Sequence, residues 1–436
     1  MSRRGAPVEP LVERRGPLDF PGGPGRSRRV IDPQAALRRI LSGLAEQGPL
    51  SAERVPFGEA LGRALAEELV SERALPPFDN AQMDGYALRA ADARRPGARL
   101  PVAFVSAAGS SDLPPLPPGA CARIYTGAPM PAGADSVEMQ EEVERDGDLA
   151  RFRRAAVAGR FVRRAGHDVA PGSAPLAAGS LVDAGAVGLA AALGRTELLV
   201  HRRPRVAILA TGDELVPVYR SPGPGQIADS NSHMLAAAAR EAGGEPFLLP
   251  LAGDSRAAIR RAVSAARGAD LLVTTGGVSV GDRDLTREVL ESMGTRLAFW
   301  KVAMRPGKPV AFGRWGRTGV FGLPGNPVSA LVTFELFVRP AIRQLAGLTG
   351  PSRPELPARL AVPFEKDPAL TYFVRARVRL ARGALLAEPL ATQSSGALTS
   401  ATGFEALAVL PPGRSRLPRG SRISVVLLRP PREERG

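Results

Sequence analysis

The sequence has little of several residue types. Among 436 residues there is one cysteine, three histidines and only three lysines, and aromatics make up 5%. A lone Cys121 excludes a disulfide framework and a thiolate metal cluster. His167, His201 and His233 are far apart and lack ligand spacing, which argues against structural zinc. A metal, if used, is then a hard cation on carboxylates, with Mg²⁺ the best match. No apolar run is long enough to span a bilayer and no secretory core segment is seen, so a membrane role is not expected and the cytoplasm is the expected compartment. Lysine scarcity is informative because arginine is used almost everywhere else. Lys301 and Lys308 both fall in "FWKVAMRPGKP", away from Lys366. A compact ammonium is not replaced well by a planar guanidinium, which makes both candidate site residues. Chance retention is the plain alternative.

What is present is a long chain with 44% hydrophobic residues, enough for two to four domains. The formal charge of +15 invites a nucleic-acid reading. Yet residues 1–30 hold seven Arg against three acids, and residues 411–436 hold seven Arg against two Glu. Elsewhere the bases are scattered among acids without interleaved aromatics. A solvated Arg-rich surface fits better, an anionic small-molecule substrate is compatible, and nucleic-acid binding is not expected.

Residues 1–30 are rich in Pro, Gly and Arg without periodicity and are expected to be a disordered basic extension. A helix follows in "DPQAALRRILSGLAEQG", with Asp32 as N-cap and Pro33 at its first position. Residues from about 100 to 200 read as short strands and turns punctuated by Pro and Gly, with one helix in "DAGAVGLAAALG". From 203 apolar strands alternate with amphipathic helices, the pattern of a three-layer α/β domain with a largely parallel sheet. Here Ser230 or Asn231 is expected to cap one helix and Asp254 the next, and a long helix is expected from 327 to about 345. After Gly350 five short strands alternate Arg with apolar residues, a small β-barrel or sandwich.

Ligands of open α/β sheets bind beyond the carboxyl ends of the strands. Those ends carry Thr211-Gly212-Asp213-Glu214, then Asp254, then "TTGGVSVGDRDLT", then Arg305-Pro306-Gly307-Lys308-Pro309, and last Leu323-Pro324-Gly325-Asn326-Pro327. Each has a plain structural reading. Asp254 and Asp284 can be helix caps, Gly276 and Gly277 a tight turn, and "LPGNP" a helix start. Together they would gather acids, bases and free N–H groups in one crevice, a mixture suited to a phosphorylated ligand with a bridging cation.

These segments, with "MDGYA", "RIYTGAPMP", "ATGDEL", "GQIADSN" and "WKVAMRPGKP", resemble the molybdopterin molybdenumtransferases, the MoeA/gephyrin E-domain family. The resemblance runs in order from about residue 32 to 430. It implies a multidomain α/β plus β fold. A helix at 32–51 packs on the α/β domain, and a linking domain I spans 52–70 and 173–202. A β-rich domain II covers 71–172, a molybdopterin-binding α/β domain III covers 203–350, and a C-terminal β-barrel domain IV covers 351–436. It implies a homodimer that takes adenylylated molybdopterin and molybdate, inserts molybdenum at the dithiolene and releases AMP with divalent-cation help.

Carried over by motif, the implied catalytic residues are Asp84, Thr126, Asp168, Glu214, Asp254, Asp284, Lys301 and Arg305. Thr275, Gly276, Gly277, Ser279, Lys308, Pro324, Gly325, Asn326, Arg375 and Ser395 are the implied substrate contacts. Molybdate is a dianion with four acceptor oxygens, which suits Lys301, Arg305 and Ser395. Gly276, Gly277 and Ser279 can offer donors to the pterin-nucleotide. Glu214, Asp254 and Asp284 can hold Mg²⁺ against the pyrophosphate. Two departures stand out: Arg305 where relatives often carry Lys, and Ala369-Leu370 in place of a Gly-Arg pair. Other partners in keeping with the family are the molybdopterin adenylyltransferase and molybdoenzyme apoproteins or chaperones. Rival readings are the preceding adenylyl transfer, a peptide-binding scaffold, and nucleic-acid binding through the tails. Nothing in the sequence separates molybdate from tungstate.

Overall fold

The computed structural model describes residues 30–277, 285–381 and 383–431. All of the expected basic extension at 1–30 except Val30 therefore lies outside the described residues. The chain forms two compact units, Ser51–Arg202 and a second that joins the stretch up to Leu50 with the residues from Arg203 onward.

In the first unit, strand Ala52–Pro56 pairs antiparallel with Glu197–His201, so the segment's two ends lie side by side. Helix Ala184–Ala192 starts where Asp183 Oδ1 accepts the Ala186 N–H at 2.8 Å. Leu65, Val182, Ala190, Leu198 and Val200 form a core beneath it. The rest is built mainly on a six-stranded sheet ordered Ser136–Met139, Gly85–Leu88, Cys121–Ile124, Arg99–Ser106, Leu149–Phe152, Val143–Asp146, beside a two-stranded pair of Asn80–Ala81 with Val162–Arg163. The glycine of "MDGYA" is required by close approach: a Cβ on Gly85 would lie 1.9 Å from the Glu138 carbonyl oxygen of the neighbouring strand.

The second unit is built on another six-stranded sheet. Its order is Glu245–Leu248, Arg205–Ala210, Leu271–Thr275, Thr318–Leu323, Ala311–Trp315, Arg296–Phe299. Only Ala311–Trp315 runs against the others. Alternate residues point to opposite faces of a strand. Val206, Ile208, Leu271 and Val273 accordingly pack under helices Pro33–Ala45 and Asn231–Glu241. Ala207, Leu209 and Leu272 pack under Arg256–Ser264 and Leu285–Ser292. Both faces are covered, which gives the three layers.

The 327–345 helix is continuous but contains a π turn at Phe334–Val338 between Pro327–Thr333 and Arg339–Leu345. Two expected caps are corrected. Ser230 is helical and makes no cap; Asp229 Oδ1 accepts the Ser232 N–H instead, at 3.0 Å. Ser255, with extended backbone, takes the place expected of Asp254 and caps the next helix, its hydroxyl accepting the Ala258 N–H at 3.2 Å.

The C-terminal strands close into a barrel, not a sandwich. Thr371–Ala381, Ala384–Pro389, Glu355–Leu360, Arg422–Leu427 and Ala406–Leu410 pair in that order, and the last pairs back to the first. Closure leaves no open edge among the five, and Ala376, Ala387, Ala406, Ala408 and Val425 fill the interior with small side chains.

Candidate functional site

Thr275, Ala210 and Leu323 are the last residues of three adjacent parallel strands. At that edge the backbone is crowded. Gly276 and Gly277 have φ of +83° and +66°, and a Cβ on Gly276 would lie 2.2 Å from the Thr211 carbonyl oxygen. The glycines thus serve tight turn and close approach at once. Thr275 Oγ1 donates to the Pro324 carbonyl at 3.0 Å, and Asn231 Nδ2 donates to Thr275 Oγ1 at 3.1 Å and to the Gly325 carbonyl at 2.7 Å. One amide group therefore ties the Gly-Gly loop to the Pro-Gly-Asn loop. The sequence offers Asn231 only as a possible cap; its motif, "GQIADSN", is the signal that points to it.

Asn326 continues the junction. Its Nδ2 donates to Ser395 Oγ at 3.0 Å, and Val328 N–H donates to the Ser395 carbonyl at 3.1 Å. The α/β domain and the barrel loop thus meet at Ser395. Arg375, expected as a substrate contact, lies in strand Thr371–Ala381. It is 1% exposed, and its guanidinium donates to Ser400 Oγ and to the Thr392 and Ser394 carbonyls. Burial pushes its pKa down. It holds the 392–400 loop that presents Ser395.

Because Arg296–Phe299 runs parallel to the central strands while Ala311–Trp315 runs back, the 300–310 segment leaves and re-enters at this same edge. Lys308 is exposed there, and Lys301 half-buried. Arg305 does not sit on the α/β sheet. Met304–Arg305 pairs in parallel with Thr371 and Tyr372 as an added edge of the barrel sheet.

Glu214 and Asp254 are both exposed, as is Asp213 between strand and turn. Asp213 Oδ1 accepts the Asp254 N–H at 2.9 Å, so Asp213, noted at the strand end but given no role from sequence, ties down the loop that carries Asp254. Glu214 folds back over Gly212, where a Cβ would meet its carboxylate at 2.5 Å. Ser279 and Asp284 lie outside the described residues. Among the described residues no group of three His, Cys, Asp or Glu side chains could hold a metal ion.

Asp84, Thr126 and Asp168 belong to the first unit. Asp84 Oδ1 accepts both the main-chain N–H and the hydroxyl of Thr126, each at 2.7 Å. Those two bonds, the main-chain one foremost, hold the Asp84 carboxyl below its ordinary value of 3.8. Asp168 is exposed on a turn whose approach is tied by Asp79: Oδ1 accepts the Ala165 N–H at 2.8 Å and Oδ2 the Arg164 guanidinium at 2.6 Å. Asp79 is a second residue the sequence reading left out. Cys121 is buried, and burial pushes its thiol up to about 12, which fits packing and not a thiolate nucleophile.

Comparison with known proteins matches this layout. Residues 31–194 match the MoeA N-terminal region (domain I and II), residues 207–344 a probable molybdopterin binding domain, and residues 357–428 the MoeA C-terminal region (domain IV). The chain is 40% identical to molybdopterin molybdenumtransferase 2 of Mycobacterium tuberculosis over 361 residues, covering 80% of this chain and 89% of that one. It is 36% identical to the molybdopterin molybdenumtransferase of Bacillus subtilis, covering 94% and 96%. A crystal structure of a molybdopterin biosynthesis MoeA protein from Pyrococcus horikoshii superposes with a TM-score of 0.79 at 28% identity, covering 92% of this chain and all of that one. With all three family regions matched in order and relatives this similar along most of its length, the chain belongs to the MoeA family of molybdopterin molybdenumtransferases.

Proposed function

We propose that this protein inserts molybdenum from molybdate into adenylylated molybdopterin, releasing AMP and forming the molybdenum cofactor. One observation carries the reading. A single hydrogen-bonded junction, Asn231–Thr275–Gly325 with Asn326–Ser395, joins the strand-end loops of the α/β domain to the barrel, with Lys308 exposed on a neighbouring loop.

Within this reading Thr275, Gly276, Gly277, Ser279, Pro324, Gly325 and Asn326 take the pterin-nucleotide, whose pyrophosphate is matched by main-chain N–H groups and Lys308. Lys301, Arg305 and Ser395 take the oxyanion, since charge-assisted bonds to a dianion are strong. Asp84, fixed by Thr126, stays ionised through the neutral range, and Asp168 is the second acid of its unit. Arg375 acts by shaping the loop under Ser395.

Mg²⁺ is the cation this reading assigns to the strand-end carboxylates. Glu214 and Asp254 supply exposed carboxylate oxygens, with Asp284 assigned as the third, and Mg²⁺ takes one or two carboxylates while keeping its waters. When bound, the cation neutralises pyrophosphate charge as the phosphoanhydride is cleaved.

The same reading includes a homodimer in the cytoplasm, supplied by a molybdopterin adenylyltransferase and delivering to molybdoenzyme apoproteins or chaperones. It includes the four-domain division at 52–70 with 173–202, 71–172, 203–350 and 351–436. It includes no nucleic-acid partner, and no helix among the described residues is long and apolar enough to cross a membrane.

The test is reconstitution. Purified protein given adenylylated molybdopterin, molybdate and Mg²⁺ is expected to release AMP and yield cofactor that activates an apo-molybdoenzyme. Binding of the adenylylated compound without cofactor formation overturns the reading.

A further inference from the structure

We propose that Tyr372 is a positioning residue for Arg305, and that its ring sets how tightly the oxyanion is taken. The inference rests on the reading of Arg305 as an oxyanion partner.

The observations start with register. Arg305 pairs with Tyr372 across two parallel strands, so the two side chains rise together from the barrel edge. The Arg305 guanidinium carbon lies 5.8 Å from the Tyr372 ring centroid. No hydrogen bond or ion pair is made by this guanidinium among the described residues, so the ring is its side-chain partner there.

The kind of partner matters. A carboxylate would consume N–H donors and cancel the charge. An aromatic face does neither: it attracts the cation through the ring quadrupole and leaves the donors at the guanidinium edge. A residue meant to meet a dianion is thereby oriented and still fully charged. A lysine would gain less, since its ammonium has no plane to rest on the ring.

The ring is itself fixed. Its hydroxyl accepts the Asp367 N–H at 3.1 Å, and Phe364 meets it edge-on at 6.3 Å. Lys366 Nζ lies 5.3 Å from the same centroid but is committed elsewhere. It donates to the Asp367 and Leu370 carbonyls at 3.1 and 2.9 Å and is 7% exposed. Of the two cations on this ring, Arg305 is the exposed one.

The experiment is a double-mutant cycle read as the molybdate concentration that half-saturates cofactor formation. Tyr372→Leu is expected to raise it about 2- to 5-fold, the size of an exposed cation–π contact, with turnover at saturation little changed. Tyr372→Phe keeps the ring face and is expected to stay near wild type. In an Arg305→Ala background, Tyr372→Leu is expected to add nothing. An equal shift with and without Arg305, or no shift from Tyr372→Leu, overturns the proposal while leaving the oxyanion reading standing. If Arg305→Ala itself leaves the molybdate dependence unchanged, the oxyanion reading fails and the proposal with it. Should leucine unfold the barrel, as judged by its melting curve, Tyr372→Met carries the same comparison with a filled but non-aromatic site.

Discussion

Asp84 and Thr126 show what a motif residue owes to its neighbours. Asp84 is only partly exposed, and two donors from one residue fix its carboxylate oxygen. Asp84→Asn retains an acceptor oxygen for both donors but loses the charge. It is expected to lower cofactor-forming turnover by about 100-fold or more, in the range of a lost acid–base or charge-stabilising group, with the melting temperature nearly unchanged. An active Asp84→Asn enzyme would remove Asp84 from the site. The depressed pKa has a definite sign. Its favourable contribution is present above the ordinary carboxylate value of 3.8 and is lost as pH falls through the lower folded value. Thr126→Val removes the hydroxyl but keeps the N–H, so the Asp84 carboxyl is expected to titrate higher than in wild type and still below that ordinary value. Carboxyl NMR titration of the two proteins measures this. Arg375 shows the opposite case: the motif names the arginine, while the direction of its guanidinium depends on the Ser400 and Thr392 partners the barrel brings to it.

The elements were largely legible, because periodicity and capping are local. The 33–45 helix begins at the expected aspartate, whose Oδ1 accepts the Ala35 N–H at 2.9 Å. The error at Asp254 and Ser255 is instructive. Both residue types cap helices well, and the choice falls to the one with extended backbone, here Ser255 at φ −127° and ψ 142°. Asp254 is engaged differently: its N–H donates to Asp213, a contact distant in sequence. The two residues should therefore separate by experiment. Ser255→Ala is expected to cost about 1 kcal/mol in denaturant unfolding, a typical cap loss. Asp254→Ala is expected to leave stability within about 0.5 kcal/mol and to lower Mg²⁺-dependent turnover. The reverse pattern would return Asp254 to a capping role. At the strand edge, Gly276→Ala combines a positive φ with a 2.2 Å clash against the Thr211 carbonyl. A loss of at least about 1–3 kcal/mol is expected in the same unfolding assay.

At the scale of the molecule, charge and composition said least. The +15 charge is compatible with several partners, whereas the order of motifs along the chain singled out one family. A homodimer predicts a single sedimenting species of twice the 45.7 kDa chain mass, and a monomer at assay concentrations would contradict it. The alternation of strands with helices, the glycines after Thr275 and the retained lysines at 301 and 308 were determined by the sequence alone, since each follows from local backbone chemistry or residue choice. Tertiary structure alone decided that the last strands close into a barrel, that Met304–Arg305 leaves the α/β sheet for the barrel edge, and that Asn231 and Asn326 knit separate loops into one junction. Those outcomes depend on pairings between residues some 30 to 94 positions apart. Such pairings are fixed by strand register and packing and leave no local periodicity to read.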